Sequence, residues 1–125
     1  MKEIYRKKSL ERLEIAIISK EKGLYNALVS NLYFSVFNYM QSILGKAPQG
    51  KWKHISLAKA FSKKCYEKEI LNPQILKEFV DKYEQLYEFR VLSDYKAYIF
   101  TNEDKLKIDY IYEFFKEVIK NGKDN

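Results

Sequence analysis

Apolar residues recur every three or four positions along most of the chain, which is the spacing of an α-helix with one buried face. No segment shows the strict alternation of apolar and polar residues that is typical of a half-buried strand. The pattern therefore predicts an all-α protein. Five helices are expected, at about residues 3–21, 24–44, 54–68, 73–99 and 103–121.

The residues that interrupt helices stand between these segments. The chain has only four glycines and two prolines. Gly23, Gly45 and Gly122 each follow a periodic segment, as glycine does at helix C-termini. Residues 72–73, Asn-Pro, are typical of an N-cap followed by a first-turn proline. Thr101 opens a Thr-Asn-Glu-Asp sequence, which predicts a capping box at the start of the last helix.

The second predicted helix is apolar on nearly all sides. Such a helix is either central in the fold or covered both by its own bundle and by a partner. One narrow stripe of small polar residues runs along it at steps of three and four: Ala27, Asn31, Ser35, Asn38 and Ser42. Two interpretations stay open for this stripe, a solvated or close-packed seam and the wall of a polar cleft.

The fourth predicted helix carries an arginine on its apolar side. At about 100° per residue, Arg90 lies within the arc formed by Leu76, Phe79, Tyr83, Leu86 and Tyr87. Burying a lone guanidinium is costly, so Arg90 needs a partner or a ligand. Asp94, one turn further along, could pair with it as a structural ion pair. Alternatively, Arg90 lies in a cleft for phosphate, which the planar guanidinium fits.

Lysines surround the single tryptophan in the segment between the second and third predicted helices. Lys51, Trp52 and Lys53 directly precede His54. Lysines beside an indole can follow a nucleic-acid backbone while the ring stacks on a base. The net charge of +6 permits contact with a polyanion. A solvated lysine loop whose tryptophan packs on the bundle has the same composition, so both interpretations stay open.

Length and composition exclude several classes of protein. A chain of 125 residues fits one domain, residues 1–125. One cysteine, Cys65, and one histidine, His54, exclude a disulfide framework and a Cys/His zinc cluster. The sequence contains no glycine-rich phosphate loop, no apolar membrane span and no recognisable signal peptide. We therefore expect a cytoplasmic protein without membrane contact, metal or cofactor.

Three blocks of residues resemble those of HEPN domains. The segment ALVSNLYFSVF at residues 27–37 resembles the A..SR.YYA.F helix of that family. Lys53 and His54, with Phe61 downstream, are similar to its K.H…F helix. The segment LYEFRVLSDY at residues 86–95 is similar to its L..LR..ADY signature. The three blocks follow the order and spacing of the family and cover about residues 10–100.

The resemblance implies an up-and-down bundle of four main helices with an additional short helix, usually assembled as a homodimer. It also implies an association with a minimal nucleotidyltransferase, encoded beside it as a toxin–antitoxin-like pair. Many HEPN proteins are metal-independent RNases that carry an Arg-x4-6-His motif in a cleft at the dimer interface. There the arginine stabilises charge on the phosphorus, and the histidine handles the proton of the 2′-hydroxyl.

Transferred residue by residue, the resemblance puts Arg90 at the arginine position, whereas Tyr95 stands where the histidine is expected. A phenol, whose ordinary pKa is about 10, is a poor general base at neutral pH. Asn31 and Phe34 also differ from the arginine and the second tyrosine of many relatives. These departures resemble the R..ADY branch of the family.

Three functions follow as alternatives. The first is a catalytically weak or inactive module that binds a partner and a nucleotide or RNA. Its candidate binding residues are Asn31, Lys51, Trp52, Lys53 and His54, and its candidate catalytic residues are Arg90, Asp94 and Tyr95. The second is an endoribonuclease toxin that uses Arg90 with His54 or Tyr95. The third is a dimeric helical scaffold without a ligand, in which the Arg90–Asp94 pair is structural. We also predict a homodimer, because the second helix looks too apolar for one bundle to cover.

Overall fold

The computed structural model describes residues 1–122, and within them it has five α-helices and no strand. The helices are α1 (Lys2–Glu21), α2 (Tyr25–Leu44), α3 (His54–Lys68), α4 (Pro73–Tyr95) and α5 (Asn102–Asn121). Four of them have 20 to 23 residues and α3 has 15. The prediction of an all-α bundle with four main helices and one shorter helix is confirmed.

The second helix is central in the fold. It contacts each of the other four helices, and its longest interface is with α1. Apolar residues from all around α2 are therefore buried within the single chain, among them Leu28, Leu32, Val36 and Met40. Of the two interpretations of its composition, a central position is the one that the structure shows. The apolar character of α2 thus gives no reason of its own for a dimer.

The polar stripe of α2 includes a close-packed seam with α1. The Ser9 hydroxyl donates to the Ser35 carbonyl at 2.8 Å, and the Ser35 hydroxyl donates to the Ser9 carbonyl at 2.7 Å. Both serines are fully buried. Because each hydroxyl has a carbonyl partner, these polar groups enter the core without the penalty of a missing hydrogen bond. At Ser35 the stripe is a packing seam and not the wall of a cleft.

The predicted boundaries of the helices are confirmed to within a residue or two, with one exception. The N-caps of α4 and α5 form as expected, since Asn72 accepts from the Ile75 N–H and Thr101 accepts from the Asp104 N–H. Gly23 and Gly45 follow α1 and α2 with positive φ angles of 71° and 78°, which glycine adopts without strain.

The exception is the end of α4, which the sequence predicts at residue 99 and the structure places at Tyr95. The backbone becomes extended at Lys96. The next residues fold back onto the bundle, where Phe100 is buried against Phe89 and the Tyr98 hydroxyl donates to Asp104 at 2.7 Å. These contacts compete with further helical turns, so the apolar residues at 98–100 belong to a packed connection.

Within residues 1–122, no helix combines the length and apolar character that crossing a bilayer requires. Large apolar side chains are nevertheless exposed on α1 and α5. They are Ile4, Leu10, Ile15 and Ile18 on α1, and Leu106 and Tyr110 on α5.

Candidate functional site

Tyr33 connects the two residues that the sequence singles out for chemistry. It lies on α2 with only 2% of its surface exposed. Its hydroxyl is 2.8 Å from Nδ1 of His54, the first residue of α3. Its ring lies beneath the guanidinium of Arg90 on α4, whose Cζ is 4.9 Å from the ring centre. Residues that are distant in sequence therefore meet on one aromatic side chain.

Both ring nitrogens of His54 have partners within the chain. Nε2 is 2.9 Å from Oε1 of Glu84 on α4, and Nδ1 faces the Tyr33 hydroxyl. Because a carboxylate only accepts hydrogen bonds, Nε2 donates to Glu84, and Nδ1 of the neutral ring then accepts from Tyr33. The imidazole also stacks on Tyr83 and Tyr87, with ring centres 4.2 and 4.0 Å apart. Only 12% of the His54 side chain is exposed.

Two phenols beside His54, those of Tyr33 and Tyr83, have raised pKa values. The Tyr83 hydroxyl donates to that of Tyr33 at 3.2 Å and lies 3.4 Å from the His54 carbonyl oxygen. Burial raises the pKa of Tyr33, although the hydrogen bond from Tyr83 and the charge of Arg90 act in the opposite direction. Burial also raises the pKa of Tyr83, strongly. We call Tyr33, His54, Tyr83, Glu84 and Tyr87 the imidazole cluster.

The Arg90 guanidinium is only partly satisfied by its surroundings. Its Nε is 3.3 Å from Oδ2 of Asp94, one turn along α4. The N–H does not make a hydrogen bond there, so the contact is an ion pair alone. Nη2 donates at 3.4 Å to the Tyr95 hydroxyl, a long contact. The Cζ lies 4.7 Å from the centre of the Phe34 ring, and 17% of the side chain is exposed.

These distances leave Arg90 with capacity for an anion. Asp94 is 31% exposed at its side chain, and Tyr95 is 66% exposed at the end of α4. A guanidinium has five N–H donors in a planar fork. Asp94 and Tyr95 engage two of its three nitrogens, neither of them with good hydrogen-bond geometry. We call Arg90, Asp94, Tyr95 and Phe34 the arginine site.

The other residues predicted to bind nucleic acid lie outside these two groups. The Asn31 side chain donates to the Ala27 carbonyl of its own helix at 2.9 Å. Trp52 packs against the core, and its indole N–H donates to the Gly45 carbonyl at 2.9 Å. Lys51 and Lys53 are exposed. Within residues 1–122 no hydrogen bond or ion pair joins any of the four to Arg90, and their role in binding stays a prediction.

Sequence reasoning missed some of the residues that build the site. Glu84 is not among the residues that the sequence singles out, but it holds His54 through a contact across 30 positions of the chain. Arg12 on α1 was not singled out, yet its Cζ lies 5.1 Å from the centre of the Phe34 ring. The signal that could have found Arg12 is the absence of a carboxylate at the neighbouring helical positions, which hold Lys8, Ser9, Ile15 and Ala16.

Within the described residues, no group of three or more His, Cys, Asp or Glu side chains is arranged to hold a metal ion. Cys65 is buried, and burial raises the pKa of its thiol to about 12. A thiol in this environment is a poor nucleophile, because the thiolate is the reactive form. The chemistry of the chain therefore centres on the arginine site and the imidazole cluster.

Comparison with known proteins agrees with the resemblance of the three sequence blocks. No curated protein and no solved structure gave a significant match to this chain. The family model of the HEPN domain matches residues 3–124, which is nearly the whole chain. Because this match covers nearly the whole chain and the fold is a helical bundle, the chain belongs to the HEPN domain family.

Proposed function

We propose that this chain is a nucleotide- or RNA-binding HEPN module that is catalytically weak or inactive. The observation that carries the proposal is the state of Arg90. Its guanidinium is supported by two aromatic rings, is partly exposed, and has a single carboxylate in ion-pair contact. Guanidinium groups of this kind bind phosphate through charge-assisted hydrogen bonds. Arg90 is the residue that would hold a phosphate of the ligand.

We expect weak or absent catalysis because no histidine is free to act as a general base. Tyr95 occupies the position where the RNases of this family carry a histidine, and the one histidine of the chain lies in the imidazole cluster. A general base needs a free acceptor within reach of the proton that it removes. Tyr33 and Glu84 occupy the two ring nitrogens of His54. A substrate hydroxyl would have to displace one of these residues.

Binding can be tested by fluorescence anisotropy with a short labelled single-stranded RNA. The wild-type chain should bind at low salt and weaken steeply between about 50 and about 200 mM salt, because phosphate contacts release counterions. Arg90→Gln should weaken binding about tenfold at low salt, the loss expected for one good charge-assisted contact.

Lys77→Gln is the matched control, since it removes the same charge from the same helix. Thirteen residues of α4 separate it from Arg90, which is about 20 Å along a helix. It should change the affinity less than about twofold, as a charge more than a Debye length away does. Absence of binding by the wild type at low salt, or binding that does not depend on salt, would contradict the proposal.

We also propose that the chain forms a homodimer and pairs with a minimal nucleotidyltransferase. The exposed apolar side chains of α1 and α5 are the surface that such an interface would bury. Light scattering should give twice the chain mass of 15.0 kDa. A single species of 15.0 kDa at micromolar concentration would contradict the dimer. Co-expression with the product of an adjacent nucleotidyltransferase gene, followed by co-purification, tests the pairing.

A second candidate function is a metal-independent endoribonuclease toxin. The observation in its favour is that His54 and Arg90 both contact Tyr33. Induced expression separates the two functions. Growth arrest and RNA decay that disappear on Arg90→Ala would favour the toxin. Intact RNA after incubation with the purified chain, together with normal growth, would favour the binding module.

A further inference from the structure

The phenylalanine of the arginine site contacts a second guanidinium. Phe34 lies on α2 and is half-buried between α1 and α4. The Cζ of Arg12 is 5.1 Å from the centre of its ring, and the Cζ of Arg90 is 4.7 Å from the same point. The two guanidinium carbons are therefore less than 10 Å apart. Helices α1 and α4 each supply one arginine to one aromatic ring.

The charge around this ring is not balanced within the chain. Arg90 has one carboxylate in ion-pair contact, Asp94, while no carboxylate within residues 1–122 forms an ion pair with Arg12. The neighbouring positions on α1 give Arg12 no carboxylate either, since Lys8 precedes it by one turn. Two cations less than 10 Å apart repel each other, and an anion that contacts both would reduce the repulsion.

The ring also restricts where the two guanidiniums can be. Cation–π contacts hold an arginine over an aromatic face and reduce the side-chain entropy that is lost when a ligand binds. Arg12 is exposed, so its guanidinium is accessible from solvent. A planar fork on each side of one anion suits the oxygens of a phosphate, which guanidiniums bind in a bidentate manner.

We propose that Arg12 is the second arginine of the ligand site, and that Arg12 and Arg90 together bind one phosphate of a nucleotide or RNA strand. This inference rests on the proposed function, and it adds to it a residue outside the sequence blocks shared with HEPN domains. The site is formed within one chain, from α1, α2 and α4.

The test uses the full chain and the labelled single-stranded RNA, with anisotropy measured over a series of salt concentrations. Arg12→Gln should weaken binding about tenfold at low salt. It should also reduce the slope of log affinity against log salt by about 0.7, the value for one phosphate contact on a single strand. Arg12→Lys keeps the charge without the planar fork, so its affinity should lie between those of the wild type and Arg12→Gln.

Lys8→Gln is the matched control, because it removes the same charge one turn away on the same exposed face of α1. It should weaken binding less than Arg12→Gln does, because it is Arg12 that contacts the Phe34 ring. The double variant Arg12→Gln/Arg90→Gln should lose less than the product of the two single losses, because the two residues share one phosphate. Circular dichroism melts of each variant confirm that the fold is retained.

The outcomes separate this inference from the proposed function. If Arg90→Gln weakens binding and Arg12→Gln behaves like Lys8→Gln, the role of Arg12 is wrong and the proposed function stands. If the losses of the two single variants multiply in the double variant, the arginines act on separate groups and the shared phosphate is wrong. If the wild type binds no RNA at low salt, both proposals fail together.

Discussion

Tyr33 contacts His54 on one side and Arg90 on the other, and the two residues differ in how completely their polar atoms are hydrogen-bonded. On one side, in the imidazole cluster, His54 has a partner at each ring nitrogen, and two tyrosine rings stack on its faces. On the other side, Arg90 has an ion pair without a hydrogen bond and one long contact to Tyr95. The same tyrosine contacts both residues, yet their hydrogen-bonding states are opposite.

The difference separates a structural role from a binding role. A polar side chain whose donors and acceptors all have internal partners stabilises the fold and has little left to offer a ligand. A charged side chain that is oriented by packing but incompletely paired retains most of its capacity for one. We therefore assign His54 mainly to stability and Arg90 mainly to binding. The following variants test that division.

The largest effect is expected for His54→Ala. The change removes two hydrogen bonds and three ring stacks, and it leaves the buried Tyr33 hydroxyl without its 2.8 Å partner. We expect the free energy of unfolding to fall by about 3 kcal/mol, as measured by urea denaturation. Ile55→Ala, at the next and exposed position of α3, is the control and should cost much less. A loss below about 1 kcal/mol for His54→Ala would contradict the structural role.

Alkaline pH should destabilise the fold, because it ionises buried tyrosines of the imidazole cluster. The pKa values of Tyr33 and Tyr83 are raised above the ordinary 10.0, so the unfolded chain releases these protons before the folded chain does. Their contribution to stability is complete below pH 10 and is lost as the pH rises towards the raised values. Tyr39 and Cys65 act in the same direction, because burial raises the pKa of each to about 12.

Denaturation measured at a series of alkaline pH values, with phenolate absorbance recorded in parallel, checks this expectation. Tyr33→Phe should reduce the dependence of stability on pH and remove one late-ionising phenol. If all eleven tyrosines of the folded wild type ionise together near pH 10, the burial of these hydroxyls is wrong.

A smaller change in stability is expected for Arg90→Ala. The ion pair with Asp94 is partly exposed, and such pairs contribute about 0–1 kcal/mol. The stack on Tyr33 and Phe34 adds a contribution of similar size. We expect a loss of about 1 kcal/mol in the free energy of unfolding. A loss of about 3–5 kcal/mol, as for one partner of a fully buried ion pair, would show that Arg90 supports the scaffold instead.

The smallest effect, and one of opposite sign, is expected for Asp94→Asn. In the proposed function, the Asp94 carboxylate, which is paired with Arg90, competes with the phosphate for the guanidinium. Its neutralisation should tighten RNA binding about twofold to threefold, while stability changes by less than about 1 kcal/mol. Anisotropy at low salt and thermal melts measure the two quantities. Weaker RNA binding by Asp94→Asn would mean that the carboxylate positions Arg90 and does not compete for it.

Most of the fold could be predicted from the sequence because its determinants are local. Helical periodicity, Asn72, Thr101 and the glycines after α1 and α2 fix where helices begin and end. The end of α4 could not be predicted in this way. It depends on Phe100 packing against Phe89, a tertiary contact that overrides the apolar pattern of residues 96–99.

The contacts of the candidate site also include local ones, which the sequence predicts, and long-range ones, which it does not. The Arg90–Asp94 pair spans one turn of one helix, so its spacing is visible in the sequence. The partners of His54 lie 21 and 30 positions away, on two other helices. Arg12 and Arg90 lie far apart in the sequence, on the first and the fourth helix. They contact the same ring because α1 and α4 both pack on α2. Contacts of this kind depend on helix packing, which no local pattern encodes.

The most direct test of the division between the two sides of Tyr33 is an NMR titration of the labelled chain with single-stranded RNA. The chain has one histidine and three arginines, at positions 6, 12 and 90, so each side-chain signal can be assigned by a single variant. Arg6 donates to the Gly122 carbonyl and is an internal control. We expect the Nε–H signals of Arg90 and Arg12 to shift as RNA is added, and those of Arg6 and the His54 imidazole to stay unchanged. A shift of the His54 signals with no shift at Arg90 would contradict this expectation.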